Sequence, residues 1–177
     1  IADKKMWVGD ASSVPQVLVS GAGVNLSADN TWTGTQTFSG TTAKLGAVTT
    51  NIGEVATVSA TAATGTINYD VTTQSVLYYT TAASANWTVN FRASSGTSLN
   101  TAMATGQSVT VAFLVTQNST AYYNSAVTID GSSVTPKWQG GTAPSTGNAS
   151  AVDAYVYTII KTGSAAFTVL ASQTKYA

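Results

Sequence analysis

"SVTVAFLV", residues 108–115, is the stretch that decides the fold. Val109, Val111, Phe113 and Val115 occupy every second position, with Thr110, Ala112 and Leu114 between them. A period of two marks a β-strand with one buried face, whereas a helix would scatter these groups around its circumference. The alternation recurs upstream. "TINYDV" (66–71) sets Ile67, Tyr69 and Val71 against Asn68 and Asp70, and "ANWTVNF" (85–91) sets Trp87, Val89 and Phe91 against Asn86, Thr88 and Asn90. Downstream, "AYVYTIIK" and "AAFTVLAS" flank Thr162-Gly163-Ser164, a short glycine-containing hairpin signal. "VTIDGSSV" offers a second hairpin with Asp130-Gly131 at its tip.

Only "SLNTAMA" (98–104) offers a helical turn or two. Strands separated by turn clusters, with no helices between them, predict an all-β fold from about Ala56 onward. The expected form is an antiparallel β-sandwich or jelly-roll-like head, with Phe113 and Phe167 as leading core residues.

Residues 1–55 read differently. "NTWTGTQTFSGTT" (30–42) and the adjoining "AKLGAV" (43–48) align by six. The alignment places glycine at Gly34, Gly40 and Gly46 and one large aromatic in each of the first two copies, Trp32 and Phe38. Regular glycines give places to turn or to bring backbones close. A single chain of this kind buries too little to offset about 1–2 kcal/mol of backbone ordering per residue. The expectation is an extended, Gly/Thr-rich attachment or stalk segment (1–55) before a head (56–177), with Trp32 and Phe38 as inter-subunit candidates. A mobile linker is the plainer alternative. The opening "IADKKMW" has neither an initiator Met nor a signal segment, which fits a start that was removed or continues from something upstream.

The 177 residues carry seven Lys plus Arg and seven Asp plus Glu, so only 8% are charged and the net charge is zero. That is about a third of the usual charged share. Nucleic acid and anionic membranes both require clustered Lys and Arg, so neither is an expected partner. No apolar run is long enough to span a bilayer as a helix. With 44% apolar residues the chain does not have the composition of a disordered one. Neutrality favours association, and an assembly subunit is expected.

Catalysis is poorly provided for. The sequence contains no His and no Cys, which removes Ser–His–Asp triads, Cys–His pairs, disulfides and thiolate metal sites. The carboxylates are Asp3, Asp10, Asp29, Glu54, Asp70, Asp130 and Asp153, and no local pair suggests a glycosidase. Asp130 reads as a turn residue beside Gly131, and Asp70 and Asp153 as strand-end or solvent-face groups. No Asp-rich loop suits calcium, and "SGAGVN" (20–25) lacks the rest of a phosphate-loop pattern. No enzyme, metal or cofactor is expected. Asn-X-Ser/Thr triplets at Asn25, Asn86, Asn118 and Asn148 carry little weight in so Ser/Thr-rich a chain.

The candidate contact residues are aromatic. Tyr122-Tyr123 within "NSTAYYNSA" (118–126) and Trp138 within "PKWQGG" (136–141) sit among small polar residues. Such rings combine flat apolar area with a hydrogen-bonding group and suit a receptor contact. Alternatively, one ring of each set packs inward.

Two stretches carry a resemblance. "ADKKMWVGDASSVPQVLVSG" followed by "DNTWTGTQTFSG", and the ending "YTIIKTGSAAFTVLASQTKYA", resemble fibre-like virion structural proteins of tailed bacteriophages, of the marine cyanophage type. The resemblance covers the N-terminal third and about the last twenty residues. It implies an extracellular virion protein, a homotrimeric appendage contacting other virion proteins, giving mechanical anchoring and surface presentation. The alternatives are a receptor-binding tip for a host cell-surface glycan or protein, a capsid decoration protein, and a bacterial surface adhesin.

Overall fold

The computed structural model of the chain describes residues 6–9, 15–18 and 55–177. The chain divides into two compact units, residues 1–48 and 49–177. In the first, β1 (Met6–Gly9) and β2 (Pro15–Leu18) pair antiparallel, Met6 opposite Leu18 and Gly9 opposite Pro15. Proline opens β2, where its missing N–H is tolerated. Trp32 and Phe38 lie outside the described residues.

The second unit has two sheets. The larger runs in the order β10 (Lys137–Trp138), β12 (Ala166–Tyr176), β11 (Val152–Gly163), β7 (Ser108–Thr116), β5 (Val76–Thr81), β3 (Ala56–Ala62). The smaller runs β4 (Gly65–Asp70), β6 (Trp87–Arg92), β8 (Asn124–Ile129), β9 (Ser132–Val134). They pack face to face through aromatic rings. Trp87 on β6 meets Phe113 on β7 and Tyr155 on β11 at ring-centroid distances of 6.1 and 5.6 Å, both edge-on. Phe91 meets Tyr157 at 4.9 Å. Trp87, Phe91, Phe113, Tyr155 and Tyr157 are fully buried, as are Tyr69 and Leu99. The all-β class and the large alternating core residues therefore follow the sequence pattern. Phe167 is the exception among the leading core residues, for it is half-buried at the edge of the cluster.

The direction of pairing differs from the expected antiparallel jelly roll. The chain steps from one sheet to the other at each strand from β3 to β8, so that β3, β5 and β7 pair parallel in one sheet and β4, β6 and β8 pair parallel in the other. Among the described strands of this unit, antiparallel pairs are β7–β11, β11–β12 and β8–β9. Parallel neighbours require a long crossover, usually helical. Here the crossover is a strand of the opposite sheet: residues 63–75 carry the chain from β3 through β4 and back to β5. Alternation reports that a strand buries one face and says nothing of its direction.

Both expected hairpins form. Asp130 and Gly131 have φ of 51° and 80° between β8 and β9, the paired left-handed residues of a type I′ turn. Asp130 is the turn residue its sequence suggests. The β11–β12 hairpin closes through Ser164 and Ala165, the latter at φ 50°. The "SLNTAMA" segment supplies α1 (Leu99–Ala102), capped by Ser98 Oγ, which accepts from the Thr101 N–H at 3.0 Å.

Candidate functional site

The described carboxylates serve the fold. Asp70, at the end of β4, forms an ion pair with Arg92 directly opposite on β6. Asp130 accepts from the N–H groups of Leu99 and Asn100, at 2.7 and 2.9 Å. At the other end of α1, Lys161 on β11 is buried and donates from Nζ to the carbonyls of Asn100 and Met103.

Asp153 corrects the sequence expectation of a strand-end or solvent-face group. It is fully buried, and its Oδ2 accepts from Gln117 Nε2 and from the Asn148 N–H, both at 3.0 Å. The reason lies in β11, where the parity that turns Tyr155, Tyr157 and Ile159 inward turns Asp153 inward as well. Burial pushes its carboxyl above the ordinary range, and the Asn148 and Gln117 donors only partly oppose this. Its Oδ1 and the indole Nε1 of Trp87 are buried without a hydrogen-bond partner.

Gln117 ties this knot to the tyrosine loop. Its Nε2 also donates to the Tyr122 carbonyl at 2.7 Å, and its Oε1 accepts the Tyr122 N–H at 2.9 Å. Tyr123 donates its N–H to Asn86 Oδ1 at 3.1 Å, and its carbonyl accepts the Trp87 N–H. Both tyrosines are half-buried, and Tyr122 packs against the core.

Trp138 is also half-buried against the core, edge-on to Tyr155 and Tyr157 at 6.5 and 6.1 Å. Its β10 strand pairs parallel with β12, Trp138 opposite Ala171. Trp138 lines several concavities, two of which lie on either side of its strand. A cavity of about 250 Å³ lies between Trp138 and the β8–β9 hairpin, lined among others by Asn124, Ser125, Ser133, Thr135 and Pro144. A shallower groove of about 410 Å³ runs over Val156, Thr158 and Leu170, with Lys137 at its rim. Tyr122 and Tyr123 line neither, although Asn124 beside them lines the first.

Beneath the cavity lies a polar chain that the sequence pattern did not single out. Tyr157 donates its hydroxyl to Asn124 Oδ1 at 3.1 Å, and Asn124 Nδ2 donates to the carbonyls of Trp87 and Ala126. The Tyr155 hydroxyl accepts from Gln173 Nε2 at 2.9 Å. Burial pushes both phenols upward, so they remain neutral donors and acceptors at physiological pH. The available signal was Tyr155 and Tyr157 in an inward parity with Ile159. Buried tyrosine hydroxyls require partners.

Among the described residues no group of three or more Asp, Glu, His or Cys converges, and no helix is long and apolar enough to cross a membrane. No protein-family model, curated protein or solved structure matches the chain.

Proposed function

We propose that the protein is a structural subunit of a phage virion, one copy of a trimeric fibre or appendage that anchors and presents a β head outside the cell. The observation that carries the reading is the use made of the ionisable groups. Asp70, Asp130, Asp153 and Lys161 each hold two parts of the sandwich together, so these acids and bases serve the fold. The resemblance of the N-terminal third and of the chain's end to fibre-like virion proteins supplies the setting, with residues 1–55 as the attachment segment. Sedimentation of the full chain tests it: a trimer at micromolar concentration is expected, and a monomer overturns the reading. Imaging particles with this subunit labelled separates a tail location from a capsid decoration role.

One observation favours a second reading, a receptor-binding tip. The 250 Å³ cavity brings Trp138 together with Asn124, Ser125 and Thr135, an aromatic and polar residues of the kind that line a sugar site. Titration with host surface glycans, followed by indole fluorescence in the chain and in Trp138→Ala, tests it; an unchanged spectrum at saturating glycan removes this reading.

A further inference from the structure

The two outer faces of the sandwich are chemically opposite. On the smaller sheet, side chains form hydrogen-bonded polar rows: Asn90 Nδ2 donates to Asn68 Oδ1 at 2.8 Å, Thr128 donates to Asn90 Oδ1 at 2.8 Å, and Arg92 pairs with Asp70. This is the wet face usual for a half-buried sheet. From β3 to β12 the larger sheet presents no charged side chain outward. Val58, Tyr78 and Leu114 stand opposite one another across β3, β5 and β7. In the next row Val76 leads through Ala112 to Val156, with Leu170 one step further along. Val58, Val156 and Leu170 remain 66%, 37% and 45% exposed.

We infer that this outer face is where copies of this chain meet. Three features fix the occupant. Toward its centre the face pairs its own hydroxyls, Thr110 with Thr158 at 2.9 Å and Thr116 with the Tyr78 hydroxyl at 3.4 Å, so covering that part leaves these groups paired. Its one charge is Lys137, opposite Leu170 at the β10 edge, so the rest of the face offers little to a charged partner and little repulsion to a copy of itself. Its extent also fits. Five strands about 4.8 Å apart and about nine residues long at about 3.3 Å each give on the order of 700 Å², close to the roughly 800 Å² per partner of a standard interface. The inference rests on the assembly reading and locates its contact.

The chain contains no cysteine, so single cysteines test this directly in the full-length protein. Val156→Cys probes the face, and Thr66→Cys, exposed on β4 in the other sheet, is the control. At micromolar chain the Val156→Cys thiol is expected to react with a maleimide about tenfold more slowly than the control, the difference vanishing on dilution as mass action dissociates the assembly. Leu114→Lys is expected to reduce the sedimenting mass, while Thr66→Lys leaves it unchanged, with circular dichroism confirming the β fold of each. Equal labelling in a chain that still sediments as an oligomer overturns this interface and leaves the assembly reading standing. A wild-type chain monomeric at every concentration overturns both.

Discussion

The Asp130 carboxylate stands 2.7 Å from the backbone nitrogen of Leu99 and accepts its hydrogen bond, so the tip of the β8–β9 hairpin holds the start of α1. The same residue takes a left-handed conformation at the turn, which Asp tolerates better than most side chains. Asp130→Ala removes the acceptor and strains the turn, and is expected to lower stability by about 1–2 kcal/mol. Asp130→Asn keeps the turn and one acceptor oxygen, so its loss is smaller. Urea midpoints of the two variants rank them.

Phe113 and Phe167 separate by burial. Phe113 is fully enclosed and meets Trp87 and Tyr79 edge-on, and Phe113→Ala is expected to destabilise by about 3–5 kcal/mol. Phe167 already meets solvent in part, so its truncation should lose less than about half as much. Chemical denaturation of both variants measures the difference.

Gly147 has no room for a side chain. A Cβ there would overlap the Tyr122 carbonyl oxygen and stand 2.8 Å from Gln117 Nε2, within the hydrogen-bonded knot around Asp153. Gly147→Ala is expected to destabilise by about 1–3 kcal/mol by forcing that knot apart. Thermal melts, with amide exchange at Tyr122 as the local reporter, check it.

Asp153 makes stability depend on pH in a defined direction. Its folded-state carboxyl titrates above its unfolded value because burial disfavours the charge. The native state therefore holds the proton more tightly, and stability from this group is greatest below the unfolded carboxyl range and falls as pH rises through the folded value. Asp153→Asn removes this slope while keeping an acceptor for Asn148 and Gln117. Melting temperatures from about pH 4 to 7, compared between wild type and variant, should converge at the acid end and diverge toward neutrality in favour of the variant.

Much of the sandwich is legible in its sequence because burial writes itself as parity. Trp87, Val89 and Phe91, or Val111, Phe113 and Val115, are inward because every second residue is large and apolar. The Asp130-Gly131 turn is legible for a similar reason, since backbone angles there admit few residue types. Strand direction is not written in this way. A crossover strand such as β4 has the same alternation whether its neighbours run with it or against it. Asp153 was hidden because a carboxylate in an inward position reads as solvent-facing until its partners are known, and Gln117 is distant in sequence. Trp138 was visible as an aromatic in a polar segment, but its cavity depends on the β8–β9 hairpin folding beside it.

The order of strands in the larger sheet also bears on synthesis. β7 lies between β5 and β11, yet β11 begins only at Val152, near the end of the chain. While the ribosome is still making residues 117–151, one whole side of β7 has no backbone to pair with, and the inner rings of Trp87 and Phe91 lack Tyr155 and Tyr157, which meet them edge-on. Chains cut short before that point would carry a sticky, unfinished ladder, so production of this protein should be unusually sensitive to premature termination.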